Sequence, residues 1–112
     1  MKGKFGLTYS EIDSVVSAMA GAYILVNNNN NAIYVGRADS DLNNRLKDHL
    51  PQNETNSCIK RSGVVAFYFE NTAYAKDAYI LECNWYHKYT PTCNMAHPAK
   101  VFSTWLCPIC GL

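Results

Sequence analysis

Two short apolar runs, Ala22 to Val26 and Ala32 to Val35, flank five consecutive asparagines, Asn27 to Asn31. Runs of this length rich in β-branched and aromatic residues read as strands. Asparagine tolerates the positive φ that a hairpin turn requires, so the two runs predict a β-hairpin. Alternation then restricts the register. If Ile24 and Val26 share an apolar face with Ile33 and Val35, the loop holds an even number of residues, such as a two-residue turn at Asn28-Asn29. That register sets Tyr23 opposite Tyr34 on the other face. Before the hairpin, a helix is predicted from about Ser10 to Ala20, with Ser10 as N-cap and Asp13 three residues on. After it, Gly36 ends the second strand. Asp39 or Ser40 caps a helix running to about Leu50 and stopped by Pro51. Leu42, Leu46 and Leu50 form the buried stripe of that helix, with Arg45 and His49 on its neighbouring edge. Residues Pro51 to Ser62 read as a polar loop. Val64 to Phe69 is a third strand. A helix from about Ala73 to Tyr89 follows, ended by Thr90-Pro91. The last twenty-odd residues are irregular and finish in Cys107-Pro108-Ile109-Cys110-Gly111.

Composition narrows the classes. At 112 residues and 48% hydrophobic content, the chain makes one domain with a real core, and disorder is excluded. A net charge of +1 argues against a protein that coats a duplex, and any contact with nucleic acid is expected to be local. The apolar stretch Val15 to Val26 is too short to span a bilayer. Glu11 and Asp13 stand where a signal peptide needs basic residues. A cytoplasmic, intracellular protein without membrane contact is therefore expected. In that setting five cysteines point to thiols or metal ligands rather than disulfides.

Chemistry concentrates on a few positions. Glu82 has Ala78, Tyr79, Trp85 and Tyr86 as its helical neighbours, a core-facing stripe. A carboxylate there must find a cation or good donors, either a metal or a buried Arg or Lys, unless it lies at the margin of the stripe. Arg45 beside the leucine stripe is either solvated or a fork for a phosphate oxygen. Paired tyrosines across a hairpin are common structural elements, and a phenol needs a nearby cation to act as a base at neutral pH.

Taken in order, these residues are more specific. Gly21-Ala22-Tyr23 and Tyr34-Val35-Gly36 resemble the two paired motifs of the GIY-YIG nuclease family, with the tyrosines eleven positions apart. The resemblance continues through Gly36-Arg37, Leu42, Arg45-Leu46 and His49 to Glu82 and Asn94, with Pro91 between the last two. It covers roughly Gly21 to Asn94. One departure is Ala22, where the family often has Ile. The resemblance implies an α+β fold in which a small antiparallel three-stranded sheet is flanked by helices. It also implies metal-dependent hydrolysis of DNA phosphodiesters. Glu82 would hold one Mg²⁺ or Mn²⁺, hard cations suited to carboxylate and water. Arg45 would stabilise charge on the phosphate. Tyr34 would be the general base with Tyr23 in the same cluster, the reverse assignment staying open, and His49 would position water or phosphate. Arg37, Lys60, Arg61 and Asn94 would contact the substrate, although Lys60-Arg61 reads equally as a solvated loop.

The tail reads separately, as residues 95–112 appended to the core of 21–94. Cys107 and Cys110 have the spacing of a zinc knuckle, and Cys93 and His97 complete a C-x₃-H-x₉-C-x₂-C array for a structural Zn²⁺. Cys83 and His87 are a rival pair, and Cys58 stands outside both. A redox pair or two free thiols are the other readings. The expected partner is DNA, with targeting left to a second copy or a separate protein. The competing expectation is a catalytically silent nucleic-acid-binding or zinc-stabilised module. A cysteine oxidoreductase lacks the βαβ context it needs.

Overall fold

The computed structural model describes all residues from Met1 to Leu112. Its centre is strand β2 (Gly21–Asn27), which is buried along nearly its whole length. Strand β3 (Ala32–Ala38) pairs with it on one side and β4 (Val64–Asn71) on the other, both antiparallel. The sheet has four strands rather than three, because Lys2–Gly6 adds β1 to the free edge of β4, in the order β1-β4-β2-β3. Two lysines and two glycines hide that strand from a hydrophobicity pattern. Lysines on an exposed edge also discourage further strand addition.

Helices α1 (Tyr9–Val15) and α2 (Leu42–Lys47) cover one face of the sheet, and α4 (Ala75–Tyr89) covers the other. Tyr23, Leu25, Phe67 and Phe69 meet Ile12, Leu42 and Leu46 on the first side. Ala22, Ile24, Val26, Val35 and Ala66 meet Trp85 on the second. Period-two alternation thus feeds two cores from one set of strands. The expected leucine stripe is realised, with Leu42, Leu46 and Leu50 all buried.

Caps shift the helix boundaries. Thr8, not Ser10, caps α1, its hydroxyl accepting from the Glu11 amide, and the helix ends at Val15. Asp41 caps α2 through the Asn44 amide. The expected polar loop contains a short helix α3 (Ser57–Arg61), capped by Asn56 and anchored by buried Ile59.

The hairpin register also differs. Tyr23 pairs with Gly36 and Leu25 with Tyr34, and a bulge follows before Val26 meets Ala32. The loop is longer than two residues. Asn27 organises it by accepting from the Asn29 and Asn31 amides, and Asn30 takes φ 61°. The bulge moves Ile33 into the tyrosine-side core, away from the Ile24–Val35 face. Tyr23 and Tyr34 therefore meet on a diagonal, their ring centroids 6.2 Å apart.

Two motif glycines follow from these close approaches. A Cβ on Gly36 would lie 2.4 Å from the Tyr23 hydroxyl, so the tyrosine ring occupies the space a side chain would need. A Cβ on Gly21 would lie 2.5 Å from the Glu70 carbonyl.

Candidate active site

A cavity of about 480 Å³ opens where β3, α2, α4 and the segment after α4 converge. Tyr34 and Arg37 reach it from β3, Arg45 from α2 and Glu82 from α4, while residues 93–99 form its far wall. A second cleft of about 540 Å³ lies near Ile24, Val26, Tyr68 and Tyr89, and its lining contains no acidic or basic side chain. A third cavity, of about 410 Å³, adjoins the first through Tyr34 and Arg45 and is lined also by Asp48, His49 and Glu54, so the charged side chains gather on this side of the molecule.

Behind Tyr34 lies a buried relay. Tyr23 is fully buried, and its hydroxyl lies 2.6 Å from His49 Nε2. His49 Nδ1 lies 2.6 Å from Glu54 Oε1. Glu54 Oε2 accepts from the Thr55 and Asn56 amides, at 3.1 Å each. A carboxylate can only accept, so Nδ1 carries the imidazole proton, and Nε2 accepts from the tyrosine. Burial pushes the His49 pKa down against the opposing pull of Glu54, which keeps the ring neutral. Glu54 escaped the sequence reading because it sits in a polar stretch without periodicity. Its distance of five positions from His49 was the one available signal.

Both tyrosine pKa values are raised, burial being the main cause and the Arg45 cation opposing it. Arg45 lies beside both phenols, and its side chain is 45% exposed with Asp48 3.8 Å away. It is therefore free to meet an incoming anion. Tyr34, half-buried, faces the cavity that Glu82 and Arg45 share, and Tyr23 does not.

Glu82 is buried, as its helical neighbours imply, and Arg37 answers its charge. Arg37 Nη1 donates to Glu82 Oε1 at 2.7 Å and to the Ala99 carbonyl, and its Nε donates to Asp39 at 2.8 Å. The guanidinium also stacks on Tyr79 and Trp105, 5.2 and 5.8 Å from the ring centroids. Arg37, expected to contact a nucleic-acid backbone, lines the cavity with its guanidinium engaged by this buried carboxylate and by Asp39. Burial still leaves the Glu82 pKa raised, with Arg37 pulling the other way. Its second oxygen, Oε2, takes no protein donor, so an open acceptor faces the cavity. An anionic oxygen so placed fits a hard divalent cation.

Other expected substrate contacts fall elsewhere. Asn94 lines the cavity, but its amide accepts from the Val35 amide and donates to the Val35 carbonyl, both at 2.9 Å. It extends the β3 edge like a short strand and positions the wall rather than reaching outward. Lys60 and Arg61 are exposed on α3 and do not line the cavity.

Cys93 is not available to a metal. It is bonded to Cys58, contrary to the expectation of free thiols, because α3 and the segment after α4 bring the two Cα atoms to 5.7 Å. Cys83, Cys107 and Cys110 are free. No helix is long and apolar enough to cross a membrane.

The comparisons with known proteins agree with this geometry. The sequence profile of the GIY-YIG catalytic domain matches residues 19–95. The UvrABC system protein C of Clostridium tetani is 34% identical over 84 residues, which are 72% of this chain and 13% of that protein's length. The GIY-YIG N-terminal endonuclease domain of UvrC from Thermotoga maritima, bound to its catalytic magnesium, superimposes with a TM-score of 0.60. It is 28% identical and covers 74% of this chain and 94% of that one. A point mutant of the same domain with its divalent cation gives a TM-score of 0.62 at 26% identity, covering 76% and 96%. With the family profile spanning both tyrosine motifs, the arginine helix and Glu82, this chain belongs to the GIY-YIG nuclease family.

Proposed function

We propose that this chain hydrolyses phosphodiester bonds in DNA with the help of one divalent metal ion. The observation that carries the reading is the convergence of Tyr34, Arg45 and Glu82 on one cavity, with an unpartnered carboxylate oxygen on its wall. Glu82 holds Mg²⁺ or Mn²⁺, and that ion, when bound, neutralises charge on the scissile phosphate and the leaving oxygen. Arg45 places its guanidinium on the non-bridging oxygens. Tyr34 removes the proton from the attacking water. It is favoured over Tyr23 because it opens into the cavity, whereas the Tyr23 hydroxyl is enclosed against His49. Burial raises the Tyr34 pKa against the opposing pull of Arg45, and a divalent cation bound beside it would add to that downward pull. His49 and Glu54 hold Tyr23 and so fix the ring against which Tyr34 lies. The match spans 13% of the length of the UvrABC relative.

One observation favours a silent variant of the fold: Arg37 already occupies one oxygen of Glu82. A single assay separates the two readings. Plasmid and branched DNA are incubated with the full chain in Mg²⁺ or Mn²⁺, beside Glu82→Ala and Arg45→Ala. Metal-dependent nicking by the wild type and its loss in both variants is expected. Absence of cleavage across those substrates would sink the enzymatic reading, and cleavage surviving in Glu82→Ala would sink the site.

A further inference from the structure

The segment from Pro91 to Leu112 contains neither helix nor strand. Its apolar side chains are largely turned outward, Met95, Val101, Phe102, Leu106, Ile109 and Leu112 all being exposed. Cys93 and Asn94 are tied to the body of the domain by the main core, the Cys58 disulfide and Val35, but beyond them buried side chains are few: Pro98, and Trp105 and Cys107 against Tyr79 and Cys83 of α4. So little burial is a weak reason for the residues after Asn94 to hold one path, as short segments without a core usually need a staple.

Four side chains at the end of α4 and in the tail supply one. The ligand atoms of His87, His97, Cys107 and Cys110 all lie within 4.8 Å of one another. Each imidazole has one nitrogen placed for ligation. His87 Nε2 is buried and has no hydrogen-bond partner, and it is the one such side-chain atom in the protein. His97 Nδ1 lies 3.0 Å from the Pro98 carbonyl and must donate to it, which leaves the Nε2 lone pair facing Cys110 Sγ at 3.3 Å. The cysteines sit on a tight turn. The Gly111 amide donates to the Cys107 carbonyl at 2.9 Å, and Gly111 takes φ 78°.

We propose that His87, His97, Cys107 and Cys110 bind one Zn²⁺ as a closed tetrahedral site whose role is structural. Two thiolates with two imidazoles select zinc over the hard cation that suits Glu82. The set joins one histidine of the rival pair read from the sequence to three members of the expected array, with His87 taking the place of disulfide-bonded Cys93. Zinc uptake displaces the two thiol protons to solvent and changes no oxidation state. The site does not include Glu82 but borders its cavity, which His97 also lines, and acts towards it. It pins the segment whose Ala99 carbonyl and Trp105 ring hold Arg37, the arginine that in turn holds Glu82.

The test is made on the full chain, expressed with Zn²⁺ in the medium. Elemental analysis is expected to find about one zinc per chain, and X-ray absorption two sulfur and two nitrogen neighbours, the sulfurs at about 2.3 Å. Cobalt added to chelator-stripped protein should give the intense visible bands of a tetrahedral thiolate site. His87→Gln and Cys110→Ser should lose the metal, and Cys83→Ser, Cys93→Ser and Glu82→Ala should keep it. Should a variant fail to fold, the wild-type cobalt titration and absorption spectrum still decide. Wild-type protein without zinc, a three- or four-sulfur shell, or loss of zinc in Cys83→Ser would overturn the assignment. Because Glu82→Ala retains this zinc while losing cleavage, failure of the tail site and failure of the nuclease reading are separable.

Discussion

Replacing Glu54 by glutamine should reverse the polarity of the buried relay without changing its shape. Glu54 accepts three hydrogen bonds, one from His49 Nδ1–H and two from the backbone amides of Thr55 and Asn56. Glutamine offers one acceptor oxygen and an NH₂ group that can only donate. If the NH₂ faced the two amides, two part-buried donors would lose their acceptor and meet a donor instead, at about 1 kcal/mol each. The oxygen therefore stays on the amides, and the NH₂ faces Nδ1. A donor there forces His49 to become an acceptor at Nδ1 and to carry its proton on Nε2. Tyr23 must then accept where it formerly donated, and its own buried proton loses its acceptor, because the neighbouring Arg45 guanidinium can only donate. What is lost is the charge assistance of about two bonds and the partner of that hydroxyl, roughly 2–3 kcal/mol. For a domain of this size that lowers the melting temperature by roughly 10–20 °C. Cleavage should fall roughly 10- to 100-fold, less than removal of a general base would cause. Long-range ¹H–¹⁵N spectra of the imidazoles read the tautomer directly, and calorimetry reads the stability. A wild-type His49 protonated on Nε2, or a Glu54→Gln protein that keeps the Nδ1–H tautomer, would refute the argument.

Three further outcomes are expected. Gly36→Ala places a Cβ 2.4 Å from the Tyr23 hydroxyl, so a fully enclosed ring must shift; calorimetry should show a loss of about 1–3 kcal/mol, and nicking should fall with it. Arg45 is almost half exposed, so Arg45→Ala should change stability by less than about 0.5 kcal/mol while cleavage drops about 10²- to 10³-fold, a split that denaturant melts and nicking assays resolve. Burial raises the Glu82 carboxyl above its ordinary value of 4.5, so the acid limb of the cleavage rate should lie above the usual glutamate range. A raised folded pKa favours the fold below the unfolded value and loses that contribution as pH rises through the folded one. Melting temperatures should accordingly decline across that window in the wild type and stay flatter in Glu82→Gln.

Much of the site was legible in the chain because its residues sit on regular elements with strong periodicity. The odd placement of Glu82 among Ala78, Tyr79, Trp85 and Tyr86 marked it as a buried carboxylate, and it is one. The leucine stripe placed Arg45 and His49 on one helix edge, and the alternation of β2 put its tyrosine on the face opposite Ile24. Partners were harder to read. Arg37 looked like a surface cation because nothing local says that a carboxylate 45 positions away will claim it. Glu54 looked like loop polarity until α2 and the turn after it brought it to His49. Cys58 and Cys93, separated by 35 positions, meet only once α3 and the segment after α4 are packed.

The sequence by itself determined the central hairpin, the strand around Phe67, the helices that carry Leu42 and Glu82 and the two faces of the central strand, since these depend on local periodicity. Tertiary structure alone decided the strand register, through a bulge that no alternation pattern contains, and the edge strand β1, whose pairing rather than its hydrophobicity makes it a strand. It also decided who neutralises whom. A buried charge must find a counter-charge or donor wherever the packed chain supplies one, and that search runs through space and not along the sequence.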